Sequence, residues 1–130
     1  MKKLHLSLIA MLMFWQASAF ALGLGNVQLH SRLGDILHAE IPLTGLGQFT
    51  LDEIKVEIGH PDTYRNLGIE YLAQHQQLRF RLESGSNDEA ILHITSTHII
   101  KEPFLHFAIQ VRSPTSLATR EISLLLDLPR

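Results

Sequence analysis

The chain has 130 residues, a formal net charge of -2, eight histidines and no cysteine. That length suits one domain with a modest core. It lacks the basic stripe that phosphate neutralisation needs, and without a thiol it has no disulfide, no thiolate metal site and no lipid-modified N-terminal cysteine.

The first 21 residues read as a secretory signal peptide. Lys2 and Lys3 supply the charged start, residues 6–15 an apolar run, and Ala17-Ser18-Ala19-Phe20-Ala21 the small-residue cleavage frames. The run is shorter than the about 20 apolar residues that span a bilayer. Ala19-Phe20-Ala21 places cleavage between Ala21 and Leu22, leaving a domain at 22–130 with nine basic and thirteen acidic residues. The leader's form points to a bacterial periplasm.

Period-two alternation then recurs along the chain, the signature of half-buried strands. Val27, Leu29, Ser31 and Leu33 share one face, and after a Gly34-Asp35 turn so do Leu37, Ala39, Ile41 and Leu43. Thr50-Leu51-Asp52-Glu53 has the form of a capping box, but alternation resumes at once in Ile54, Val56 and Ile58, so it predicts a turn before a strand. Pro61, Asp62 and a terminating Gly68 predict a helix of about two turns. Leu78, Phe80 and Leu82 form a clean strand face; residues 91–100 are β-branched but mixed in phase. Two last strands, carrying Leu105, Phe107, Ile109 and Val111 and then Ile122, Leu124, Leu126 and Leu128, form a hairpin around Pro114-Thr115-Ser116. About seven short strands in roughly a hundred residues predict an all-β fold with one short helix, an immunoglobulin-like β-sandwich, with a small β-barrel as the alternative. Phe80, Phe107 and Leu124 are expected to meet between the sheets.

No catalytic residue emerges. Gly23-Leu24-Gly25 follows no strand and opens no helix, so it reads as a flexible entry and not a phosphate cradle; Ser84-Gly85-Ser86 lies in a turn and not in a nucleophile elbow. The carboxylate pairs Asp52-Glu53 and Asp88-Glu89 are neighbours that point apart. His30, His38, His60, His75, His93, His98 and His106 are scattered without ligand spacing, and the odd separation of His93 and His98 sets them on opposite strand faces. No metal site and no cofactor are therefore assigned, although a small-ligand or metal binder using these histidines is the alternative reading of function. The best candidate for partner binding is Lys101-Glu102-Pro103-Phe104. Pro103 cannot donate to a ladder, so its strand should begin at an edge or bulge, and Phe104 falls opposite in phase to Leu105 and Phe107. The ordinary expectation is that the helix around Tyr64 and Leu67 covers this ring; the functional one makes Phe104 an exposed anchor beside Lys101 and Glu102.

The ordered set of segments resembles the N-terminal periplasmic domain of FimV-like proteins of type IV pilus assembly. The resemblance rests on Leu22-Gly23-Leu24-Gly25, Val27-Gln28-Leu29-His30-Ser31, Leu37-His38-Ala39-Glu40-Ile41, Asp52-Glu53-Ile54, Lys101-Glu102-Pro103-Phe104-Leu105-His106-Phe107 and the closing Arg120-Glu121-Ile122-Ser123-Leu124-Leu125-Leu126-Asp127. In that family the domain precedes a peptidoglycan-binding LysM module, a transmembrane helix and a cytoplasmic region. The resemblance implies, for a short form without those parts, a non-catalytic periplasmic scaffold that docks on a protein partner in the envelope, a pilus or secretin assembly component foremost.

Overall fold

The computed structural model describes residues 22–47, 49–86 and 88–129. The segment expected to be a signal peptide, including Ala21 of the expected cleavage site, lies outside them. The elements, in chain order, are β1 (Gly23–Leu24), β2 (Gln28–Leu29), β3 (Ile36–Thr44), a 3-10 turn (Leu51–Glu53), β4 (Lys55–Ile58), α1 (Pro61–Leu67), a second 3-10 turn (Ala73–Gln77), β5 (Leu78–Ser84), β6 (Ala90–Ile99), β7 (Phe104–Arg112) and β8 (Leu117–Leu125). One antiparallel sheet runs β1-β3-β6-β5 with β2 also on β3, and the other runs β4-β7-β8. The two sheets form a sandwich, and the described strands close no barrel.

Alternation sets the core. In β3 the side chains of Leu37, Ala39, Ile41 and Leu43 are wholly buried while Ile36, His38 and Glu40 face outward. Leu92 and Ile94 of β6 face the same interior, and Phe107, Ile109 and Val111 of β7 with Ile122 and Leu124 of β8 close it from the second sheet. Each large aliphatic or aromatic side chain so buried contributes roughly 1.5–3 kcal/mol. Phe107 and Leu124 lie in this core and Phe80 packs, half-buried, against its edge, so the three expected core residues share one cluster.

The pairing of β3 with β6 slips between Ile36 and His38. A slip of this kind leaves a backbone amide without a ladder partner. Here the Leu37 amide donates to the Ser96 hydroxyl at 2.9 Å, and that hydroxyl donates to the His98 carbonyl at 2.6 Å. A small polar residue at an inward position of β6 thus has a defined task, since an unsatisfied buried amide costs about 1–3 kcal/mol.

The helix α1 has the predicted bounds. Pro61 opens it, Asp62 sits in its first turn, and Gly68 ends it in the left-handed region at φ 71°. Tyr64 is the inward side chain. Beyond Gly59, whose amide donates to the Ala108 carbonyl at 2.8 Å, β4 no longer flanks β7. The Ala108 amide donates instead to the Tyr64 hydroxyl at 3.1 Å. One phenol therefore replaces a missing strand partner.

Two expectations need correction, and one element goes beyond them. The face over residues 27–33 yields only the two-residue β2, because Arg32 and Asp35 close a turn through reciprocal 3.0 Å bonds and Leu33 donates to the Asp127 carbonyl at 2.9 Å. Gly23-Leu24-Gly25 is not a flexible entry: β1 pairs with Leu43 and Thr44, and Arg120 of β8 donates to the carbonyls of Leu24 and Gly25 at 2.7 and 3.2 Å. A Cβ at Gly23 would stand 2.7 Å from the Thr44 hydroxyl, so a larger residue there requires the threonine side chain to turn away. The turn at Ala73–Gln77 was not foreseen. Its residues lack periodicity, and it forms because His75 is drawn into an aromatic cluster.

Candidate functional site

Two surfaces of the sandwich carry chemistry. The first is the one expected from the sequence. Pro103 lies just outside β7, and its carbonyl accepts the Leu126 amide at 2.7 Å. Although β7 is the central strand of its sheet, at this end it is paired only with β8, since β4 joins it from Ile109 onward. The proline thus stands where only one neighbour needs a ladder bond.

Phe104 is 53% exposed and α1 does not cover it. Tyr64 is committed to Ala108, and Leu67 is itself exposed, so the covered-ring expectation is overturned by the inward turn of the helix. Leu125, opposite Phe104 in register on β8, is 73% exposed. His106 stands beside the Phe104 ring and is bonded to Glu121 across the strands. Lys101 and Glu102, both exposed, line a cleft of about 430 Å³ between the β6–β7 connection and the second 3-10 turn, with His98 and Ile99 on its wall. An apolar pair next to a charged pair is the composition of a docking anchor. Leu22, the residue after the expected cleavage point, is half-buried against the core.

The second surface is the outer face of the larger sheet, where sequence reasoning saw scatter. His38 and Glu40 are two apart on β3 and so share its outer face. Register puts Glu40 opposite both Gln28 of β2 and His93 of β6, and the backbone bond from the His30 amide to the His38 carbonyl brings His30 alongside. Glu40 is the centre of the group. One carboxylate oxygen lies 3.6 Å from His38 Nε2 and 3.6 Å from His93 Nδ1, and the other 3.4 Å from His30 Nε2. The His30 and His38 rings are 5.1 Å apart, and those of His38 and His93 are stacked at 5.8 Å.

Within this group His93 is distinctive. Its side chain is only 9% exposed, its Nε2 bonds Glu83 Oε2 of β5 at 2.5 Å, and its Nδ1 is buried without a hydrogen-bond partner. An orphaned buried nitrogen costs about 1–3 kcal/mol. The residues that could hold a metal are His38, Glu40 and His93, whose ligand atoms all lie within 4.8 Å of one another. Of the other histidines, His60 precedes α1, His98 lines the cleft, His106 pairs with Glu121, and His75 is enclosed by Tyr64, Tyr71 and Phe107. The signal for the cluster was the spacing of His38 and Glu40 at i and i+2 in a predicted strand; its partners could be found only from strand register.

Residues 22–129 match the model of the FimV N-terminal domain, an Ig-like domain. The chain belongs to the FimV N-terminal domain family. FimV relatives from two strains of Pseudomonas aeruginosa, each described as a motility hub protein, are 32% identical over 111 residues, which is 85% of this chain and 12% of theirs. The chain thus spans about an eighth of the length of these relatives. No solved structure matches it. The sandwich seen here is the Ig-like fold of the family, and among its described residues no helix is long and apolar enough to cross a membrane.

Proposed function

We propose that this domain is a non-catalytic protein-interaction module of the bacterial periplasm, serving a scaffold linked to type IV pilus assembly. The observation that carries the reading is the full-length match of the folded part to the domain that opens a motility hub protein. The bare Phe104–Leu125 pair beside Lys101 and Glu102 supports it from the structure, because large apolar side chains left exposed together on a folded domain mark contact surfaces. Export with cleavage between Ala21 and Leu22 fits the same reading: the family match starts at residue 22, directly after the small-residue frame.

Photo-crosslinking from position 104 in cells tests the partner surface. A crosslink to an envelope assembly protein that is lost on Lys101→Glu is the expected result. A Phe104→Ala variant that melts several degrees lower would return the ring to the core, and an absent crosslink from a stable, exported protein would remove the docking role. Intact mass of the exported protein tests the processing step, with Leu22 as the expected first residue.

A further inference from the structure

We infer that the outer face of the larger sheet holds a divalent transition-metal site, with His38, Glu40 and His93 as ligands, His30 beside them, and Glu83 as the group that orients His93. The inference is independent of the docking role proposed above.

The distances fit a small tetrahedral ion. Two ligand atoms each about 2.0–2.1 Å from zinc stand about 3.3 Å apart. Among His38, Glu40 and His93, one Glu40 oxygen lies 3.6 Å from His38 Nε2 and 3.6 Å from His93 Nδ1, while His30 approaches the other oxygen at 3.4 Å. The remaining edge, between His38 and His93, is within 4.8 Å. His38 can close it, since its side chain is 46% exposed and free to rotate inward. Metal binding thus asks for a side-chain adjustment and no backbone movement.

The arrangement around His93 is the second, independent observation. A histidine ligand commonly donates its non-ligating N–H to a carboxylate, which fixes the tautomer and the ring and strengthens the other nitrogen as a donor. Glu83 accepts from His93 Nε2 at 2.5 Å, so the lone pair belongs on Nδ1, the nitrogen that faces Glu40 and has no other partner. A ring held by a carboxylate on one side, with a buried unpartnered nitrogen on the other, is set up as a ligand. Three strands contribute: Glu40 and His38 come from β3, His93 from β6 and Glu83 from β5, while His30 follows β2 directly. Since β3 and β6 are the inner strands of the sheet, the central ligands stand on its most rigid part.

Donor chemistry limits the ion. Imidazole nitrogens with one carboxylate suit zinc, copper and nickel, whereas calcium and magnesium take oxygen ligands. The opposing charges on this face are Arg79 and Arg81, exposed on β5. Glu40 and Glu83 offset a divalent ion there.

Calorimetric titration of zinc chloride into the chelator-stripped protein tests the site. The expected result is saturation at one zinc per chain. His93→Ala and the pair His38→Ala with Glu40→Gln should abolish it, and Glu83→Gln should weaken it by about 10–100-fold. His60→Ala and His98→Ala should leave it unchanged. Glu40→Gln keeps the shape of the side chain, so a variant that melts like the parent yet loses zinc assigns the loss to the ligand and not to the fold. Cobalt(II) in place of zinc should give the intense visible bands of a four-coordinate ion. The inference is overturned by the absence of saturable zinc binding, by binding that survives the His38→Ala, Glu40→Gln double variant, or by an equal loss in the His60 and His98 controls.

Discussion

His75 and His93 are both buried imidazoles in the same small sandwich, and both have a ring nitrogen without a hydrogen-bond partner. Their surroundings give them opposite chemistry. His75 is stacked on Tyr64, set edge-on to Tyr71 and tilted on Phe107, with no carboxylate against it. Its Nδ1 faces the Leu72 amide at 3.5 Å, and it behaves as one more aromatic plate of the core. His93 has a glutamate on each side. Burial decides that a polar ring must be managed; the charge of its neighbours decides whether it becomes packing or a ligand.

The largest effect that can test this contrast falls on the packing side. Phe107→Ala removes a wholly buried ring that leans on His75, and should cost about 3–5 kcal/mol by chemical denaturation. Out of the about 5–15 kcal/mol typical of a domain, that is severe. A variant melting within a few degrees of the parent would show that this side is not the core. On the other side, zinc at about 100 times its dissociation constant should add about 2.7 kcal/mol of stability. The thermal shift should persist in His75→Phe and vanish in His93→Ala; the reverse pattern would exchange the two roles.

A smaller effect is expected from Tyr64→Phe, which leaves the Ala108 amide buried without its acceptor and should cost about 1–3 kcal/mol. Loss in this range with an unchanged zinc isotherm would show that the aromatic side and the histidine face are energetically separate. The pH dependence is subtler. Burial, and secondarily the nearby His106 charge, hold the pKa of His75 below its usual 6.5. The unfolded chain therefore takes up this proton first. The contribution of His75 to stability is complete above about pH 6.5 and is lost as the pH falls toward the lowered folded value. His75→Phe should accordingly flatten the acid limb of the stability curve, and an unaltered limb would mean that the ring takes up its proton as readily in the folded chain as in the unfolded one. Smallest of all, Phe104→Ala should stay within about 0.5 kcal/mol of the parent, as expected for a ring that is 53% exposed.

What was legible in the sequence was whatever depends on near neighbours. Alternation placed Leu37 to Leu43 and Leu105 to Val111 on inward faces, and Pro61, Asp62 and Gly68 bounded the helix. Family membership was legible too, through the order of many weak segments. The histidine group was not, because His38 and His93 are 55 positions apart and meet only through the register that pairs Glu40 with His93. Register is a property of two strands together, and no single stretch of chain states it. The odd spacing of His93 and His98 was sound geometry applied to the wrong pair. The turn at Ala73–Gln77 was hidden for a related reason, since it follows from where His75 must go and not from any helical preference of its own residues.

The guanidinium of Arg120 has a consequence for how this domain assembles. It grips two carbonyls near the start of the described chain from a position 95 and 96 residues later. The entropic cost of closing a loop rises with its length, and contacts so remote in sequence slow the search for the native state. β1 can pair with β3 early, but its second fastening, through Arg120, cannot form until β8 is in place. Folding is therefore expected to end with the clamp of Arg120 on the segment that opens the described residues. A rapid-mixing study of Arg120→Ala should find the unfolding rate raised and the folding rate nearly untouched, the mark of a fastening that forms after the barrier has been crossed.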